Sequence, residues 1–192
     1  MNRLFVDEEF PFRNHYFDRG CGVRMHYVDE GQGDPIICVH GNPTWSFYFR
    51  RLISQLSMSH RVIAVDHIGC GFSDQPPETD YSYRLENRID DLEGLLDHLG
   101  IHSGATLVAH DWGGAIGFGV AGRKPERFSS LVAMNTAAFP LPEGKTFPWI
   151  IRPARGPIGE FLVRRLDAFV LGTLAIGTRR RRLSRAERAG YR

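Results

Sequence analysis

The sequence predicts an α/β protein built on a mostly parallel, doubly wound sheet, and three observations carry that prediction. Short runs rich in Val and Ile recur, several without polar alternation, as strands buried on both faces require. Helical patterning lies between them, which favours parallel pairing through crossovers. Three of the runs end in loops of unusual composition, and in open α/β sheets ligands bind outside the carboxyl ends of the strands.

The strand candidates, in chain order, are Val23 to Val28, Pro35 to Val39, Arg61 to Val65, Ala105 to Ala109 and Phe128 to Met134. A helix is expected from Trp45 to Leu56. Leu85, Ile89, Leu92, Leu96 and Leu99 form a helical stripe closed by Gly100 in a C-cap position. These elements place residues 1–136 in an α/β core. From Ala137 the composition changes, and Pro140, Pro142 and Pro148 exclude a helix or central strand interior. Residues 137–192 therefore read as a connector and the start of a helical cap, in which Ile158, Phe161, Leu162, Leu166, Phe169 and Val170 follow helical spacing.

Composition narrows the function classes. At 192 residues, 42% hydrophobic and 24% charged, the chain is long and apolar enough for one well-cored domain. No run reaches the roughly 18 uncharged apolar residues of a membrane span, and MNRLFVDEEF carries acids where an export signal needs an apolar block. Cys21, Cys38 and Cys70 lack metal-ligand spacing and suit a reducing cytoplasm. Residues 151–192 hold eleven Arg against Glu160, Asp167 and Glu187, but the run Arg179 to Arg182 has only Tyr191 as an aromatic companion. A solvated helix face is expected there, and neither a nucleic-acid nor a membrane partner.

The chemistry centres on LVAHDWGGAIG, residues 107–117, which reads as a strand, a sharp turn and a helix. Its pattern is that of a nucleophile elbow with Asp111 where a serine usually stands. A serine there needs a base; a carboxylate at a helix N-terminus is already anionic. Attack on an ester or amide would give a labile anhydride, whereas attack on a saturated carbon bearing a leaving group gives a stable alkyl ester. Asp111 therefore points to alkyl transfer. The Trp112 indole N–H and the Asn42 amide are donors for the departing group, and the backbone N–H groups of Asn42 and Trp112 are candidates for an oxyanion hole. His40, Gly41 and Gly113 are expected to support the loops, His110 and His40 to pack and hydrogen-bond, Asp66 to tie loops together, and Trp45 and Phe72 to line a pocket. A lone HDWGG also suits any capped strand-to-helix turn; HGNPTW at the end of an earlier apolar strand favours the elbow.

HGNPTWSFYFR, DHIGCGFSD and AHDWGG together resemble the haloalkane dehalogenase-like branch of the α/β-hydrolase fold, over essentially the whole chain. RMHYVDEG, DHIGCGFSD and MNTAAFPLP are most similar to the β-lactone decarboxylases of bacterial olefin biosynthesis. The resemblance implies Asp111 as nucleophile, Asn42 and Trp112 as the leaving-group pair, a small apolar substrate and no cofactor or metal; assembly with other pathway enzymes is left open. Haloalkane dehalogenase is the reading at family level and β-lactone decarboxylase its alternative. An epoxide hydrolase is a further alternative, though that branch usually has a bulky apolar residue at the place of Asn42 and uses cap tyrosines. A non-catalytic ligand-binding fragment is another.

The fold's order of nucleophile, acid and histidine calls for a histidine after the elbow, and none of the eight follows Asp111. Asn135-Thr136 holds the place where some relatives carry the acid. The chain is therefore expected to be a C-terminally truncated piece with its last strands absent, folding poorly and turning over nothing when expressed alone. Intact mass after incubation with a bromoalkane is expected to show a persistent ester that is missing in Asp111→Asn; steady release of halide or alkene would contradict the expectation of no turnover.

Overall fold

The computed structural model describes residues 9–20, 22–138, 144, 159, 161, 168–177 and 182–191. The chain divides into two compact units, one of which is Phe12–Ala138 and the other Met1–Pro11 with Phe139–Arg192.

The first unit carries a six-stranded sheet in the order β1-β2-β4-β3-β5-β6. Its strands are β1 (Asn14–Asp18), β2 (Arg24–Glu30), β3 (Pro35–Val39), β4 (Arg61–Val65), β5 (Ala105–Asp111) and β6 (Phe128–Thr136). β4, β3, β5 and β6 run parallel, and β2 joins β4 antiparallel with Tyr27 opposite Val65. In β3 and β4 both faces are buried, which is why their sequences show no polar alternation. Ile37, Val39, Ile63 and Val65 join the main core with Leu107 and Ile116, while Ile36, Cys38, Val62 and Ala64 are buried on the opposite face. Burial pushes the Cys38 thiol up to about 12, so it behaves as an apolar core residue. β1 escapes the sequence reading for a physical reason. NHYFD alternates between exposed and half-buried positions at a sheet edge, so it carries no continuous apolar run. It is fastened by pairing with β2 and, just beyond its end, by Arg19 Nε donating to Asp91 Oδ1 at 2.6 Å.

The helices are α1 (Arg50–Leu56), α2 (Leu85–His98) and α3 (Trp112–Arg123). The helix expected from Trp45 instead begins as a 3-10 turn over Ser46–Phe49. The Ser46 N–H is held by Asp66 Oδ1 at 2.7 Å and both Phe47 and Phe49 are buried, which suits the tighter winding. α2 matches the expected stripe and ends at His98, with Leu99 as its C-cap and Gly100 following at φ 69. α3 sits close to its neighbours because it is rich in glycine: a Cβ at Gly114 would fall on Thr136 Oγ1, one at Gly117 would meet Leu107, and one at Gly119 would meet Ile89 of α2.

β6 pairs β5, with Val108 opposite Val132, and shows a register shift between His110 and Asp111. Leu131, Val132 and Met134 are 55%, 43% and 37% exposed, so β6 is apolar like a central strand yet stands at the edge of the described sheet.

In the second unit, α4 (Ala168–Gly177) and α5 (Arg185–Gly190) are described. Ser184 caps α5, with its hydroxyl accepting from the Glu187 N–H and Glu187 accepting from the Ser184 N–H. Arg182, Arg185 and Arg188 are exposed, in keeping with a solvated face. The proline-rich connector, most of the helix expected over Ile158 to Val170, and Arg179 to Arg181 lie outside the described residues, as does Cys21. Among the described residues no helix is long and apolar enough to cross a membrane.

Asp66 anchors the loops above the sheet. Its side chain is fully buried and accepts from the Ser46 N–H, the Phe72 N–H at 3.0 Å and His26 Nδ1 at 2.8 Å. Burial alone would raise its pKa, but the His26 hydrogen bond and charge, with the other donors, hold the carboxyl below its ordinary value. Removing one partner of such a buried pair costs about 3–5 kcal/mol. Asp66→Asn is expected to lose stability on that scale at pH 7 in a urea titration. Because the folded pKa is depressed, the contribution is present above the unfolded value of about 3.9 and is lost as pH falls through the folded one. The gap between wild type and variant therefore closes below about pH 4; a gap that widened on acidification would contradict this.

Candidate functional site

Three strand ends converge. β3 runs into the 40–45 loop, β4 into the 66–74 loop, and β5 ends at Asp111, where α3 begins with Trp112. Asp111 has φ 53 and ψ −126, a conformation rare for a residue with a side chain and worth about 1–3 kcal/mol of strain. The surrounding bonds over-determine it. Its own carbonyl oxygen accepts from Thr136 Oγ1 on β6, and its carboxylate Oδ1 accepts from the Asn42 N–H at 2.8 Å.

Although Asp111 stands at the helix N-terminus, its carboxylate makes no side-chain cap bond to its own helix; the donor comes from the facing loop. Among the described residues no hydrogen bond reaches Oδ2, and Asp111 is half-buried. One oxygen is thus held by a hydrogen bond and the other, among the described residues, is not, which suits a carboxylate that attacks.

Close approach is made possible by glycine at two positions. A Cβ at Gly41 would fall on Asp111 Oδ1 and lie 2.6 Å from the Trp112 nitrogen, and one at Gly113 would fall on the carbonyl oxygen of Val39. Asn42 and Trp112 are both exposed, Trp112 at 52%; the Asn42 N–H bonds the carboxylate, whereas among the described residues no hydrogen bond joins the Trp112 N–H to it. The Asn42–Pro43 peptide is cis.

The histidines near the site are buried or stacked. His40 Nε2 accepts from the His67 N–H at 3.1 Å, which leaves the proton on Nδ1 to be donated to Gly41 O at 2.9 Å. His67 Nε2 donates to His40 O at 3.1 Å. Burial lowers the pKa of His40 and takes that of His67 well below its ordinary value, so both are neutral at pH 7. His110 stacks on Tyr48 with centroids 4.3 Å apart, and burial lowers its pKa too. Trp45 and Phe72, expected at a pocket wall, meet edge to face at 4.9 Å, with Trp45 buried in the core. Sequence reasoning missed His67 and Thr44. Thr44 carried a faint signal, a hydroxyl residue three positions after a glycine in a turn; His67 carried none. No group of three or more His, Cys, Asp or Glu side chains that could hold a metal occurs among the described residues.

Comparison with known proteins shows the family and the fold. Residues 34–191 match the family model described as alpha/beta hydrolase fold. The chain is 48% identical over 189 residues to a cis-3-alkyl-4-alkyloxetan-2-one decarboxylase of Shewanella oneidensis, covering 97% of this chain and 58% of that protein. A decarboxylase of the same name from Xanthomonas campestris pv. campestris is 44% identical over 176 residues, covering 88% and 59%. A haloalkane dehalogenase of Sphingobium indicum is 38% identical over 187 residues, covering 95% and 62%. Among solved structures, the haloalkane dehalogenase DbeA from Bradyrhizobium elkani superposes with a TM-score of 0.82 at 34% identity, over 94% of this chain and 63% of that one. The chain thus spans about 58% of the length of the first of these relatives.

Gly41→Ala is expected to cost about 1–3 kcal/mol, read as a lower thermal midpoint. Gly122→Ala, in the last turn of α3 with open space around its Cβ, is expected to gain up to about 1 kcal/mol. A Gly41→Ala protein as stable as wild type would contradict the close approach.

Proposed function

Because the chain belongs to the alpha/beta hydrolase fold family, we propose that Asp111 is a carboxylate nucleophile acting on saturated carbon through a covalent alkyl ester. The observation that carries this reading is the carboxylate itself, held at Oδ1 by the Asn42 N–H, with Oδ2 accepting no hydrogen bond among the described residues, at a strained strand-to-helix corner. As substrate we favour a β-lactone of the cis-3-alkyl-4-alkyloxetan-2-one class, supported by identities of 48% and 44% to decarboxylases of that name against 38% to the Sphingobium dehalogenase. We assign the reaction to bacterial olefin formation and to the cytoplasm, a reading supported by the resemblance to the β-lactone decarboxylases and by the lack of metal-ligand spacing among the three cysteines.

The chemistry balances without water. Oδ2 attacks ring carbon 4 and the C4–O bond breaks, its electron pair passing to the ring oxygen; the products are an alkyl ester on Asp111 and a free carboxylate. The bond from carbon 3 to that carboxylate carbon then breaks. Its pair forms the carbon–carbon double bond while the C4–Oδ2 bond returns its pair to Asp111, releasing carbon dioxide and an alkene. The Asn42 amide and the Trp112 indole supply donors for the ring oxygen as it becomes anionic.

A haloalkane is the second reading, favoured by the superposition on DbeA. There the halide leaves toward the same donors, and water must then cleave the ester at its carbonyl carbon. The sequence-based expectation of no turnover covers alkene as well as halide; for the lactone we set it aside, because fragmentation of its adduct takes up no water and is expected to proceed.

A cis-dialkyl β-lactone incubated with the protein is therefore expected to yield alkene, detected by gas chromatography with mass detection, whereas a bromoalkane leaves only the ester. Asp111→Asn is expected to lower alkene formation by about 10³-fold or more. Halide release at many turnovers with no alkene from the lactone would favour the haloalkane, and undiminished alkene formation by Asp111→Asn would overturn the nucleophile.

A further inference from the structure

We infer that Thr44 and His40 are positioning residues that polarise the Asn42 N–H facing Asp111. Gly41 O and the Asn42 N–H belong to one peptide group, so whatever loads the carbonyl strengthens the amide as a donor. That carbonyl is loaded heavily. It accepts from the Thr44 N–H at 3.0 Å, from Thr44 Oγ1 at 2.9 Å and from His40 Nδ1 at 2.9 Å. On its other side the same peptide donates to Asp111 Oδ1 at 2.8 Å.

The histidines fix the array's direction. The His67 N–H occupies His40 Nε2, so the only proton of the neutral His40 ring sits on Nδ1 and must point at Gly41 O. His67 Nε2 donates to His40 O, the carbonyl of the preceding peptide, so two successive peptide groups of the turn are held from the buried side. Both histidines are buried and neutral, which leaves the array as a set of oriented dipoles with no net charge.

Its use follows from the reading of Asp111, on which this inference rests, and lies in cleavage of the ester at its carbonyl carbon, the step that the haloalkane route requires. Once Oδ2 carries an alkyl group, Oδ1 is the ester's carbonyl oxygen and becomes an oxyanion when a nucleophile adds to the carbonyl carbon. A pre-polarised N–H already aimed at Oδ1 then strengthens its bond as charge develops and needs no reorganisation.

Two measurements on the chain test this without activity. In ¹⁵N–¹H spectra the Asn42 amide proton is expected downfield, to move upfield in Thr44→Val, which keeps the shape but loses the hydroxyl, and to return in Thr44→Ser. Imidazole ¹⁵N shifts are expected to show His40 protonated on Nδ1. An Asn42 amide unmoved by Thr44→Val, or a His40 protonated on Nε2, would overturn the inference, and the second readout stands even if Thr44→Val does not fold.

A chemical arm reads the consequence. Hydroxylamine adds to the carbonyl carbon of the bromoalkane-derived ester on Asp111, the oxyanion collapses, and the C–O bond to the alkyl group's oxygen breaks, giving the hydroxamate and releasing the alcohol. Thr44→Val is expected to slow this loss of adduct by about three- to tenfold, with the wild-type rate restored in Thr44→Ser; an equal rate in Thr44→Val would overturn the role. If the wild-type protein forms no adduct, the reading of Asp111 fails, while the amide and imidazole shifts still decide the polarisation.

Discussion

The contact between Gly41 and Asp111 is the constraint from which the rest of the site follows. A side chain at position 41 would occupy the place of the carboxylate, so only glycine lets the loop after β3 come within hydrogen-bonding distance of the residue ending β5. That approach gives Oδ1 a donor from outside its own helix. It also holds Asp111 in a left-handed conformation that an isolated aspartate would leave. Gly113 serves the same approach from the other side, by letting α3 begin against the carbonyl of Val39.

Beneath this contact lies a buried polar layer that keeps the loops from drifting. Asp66 gathers the start of the 3-10 turn and the loop after β4 through two backbone donors, and His26 on β2 supplies the proton that makes a buried carboxylate tolerable. The hydroxyl of Ser73 donates to Asp66 O and accepts from the His26 N–H, closing the layer. Unsatisfied, these groups would be heavily destabilising; satisfied, they specify one arrangement of the loops. The strain at Asp111 persists because such bonds surround it.

The legibility of all this in the sequence was uneven. β3, β4 and β5 were readable because strands covered on both faces carry unbroken apolar runs, and α2 because its stripe and Gly100 agree. β1 was not readable, since its edge position leaves alternating half-exposed residues that resemble a loop. The 3-10 start of the helix after Trp45 depends on a bond to Asp66, twenty residues away, which local propensity does not contain. Asp111, Asn42 and Trp112 could be singled out because an acid at an elbow breaks a local rule. The array through His67, His40 and Thr44 could not, because its logic lies in which nitrogen faces which carbonyl, and the fold alone decides that.

The central claim is that Asp111 forms a bond to saturated carbon through its free oxygen. Protein labelled with ¹³C at the aspartate side-chain carboxyls and treated with a bromoalkane tests it most directly. One new ester carbon signal is expected, coupled through bonds to the alkyl group and absent in Asp111→Asn. A labelled carboxylate at position 111 that keeps its free-acid signal while the bromoalkane alkylates another residue would contradict it.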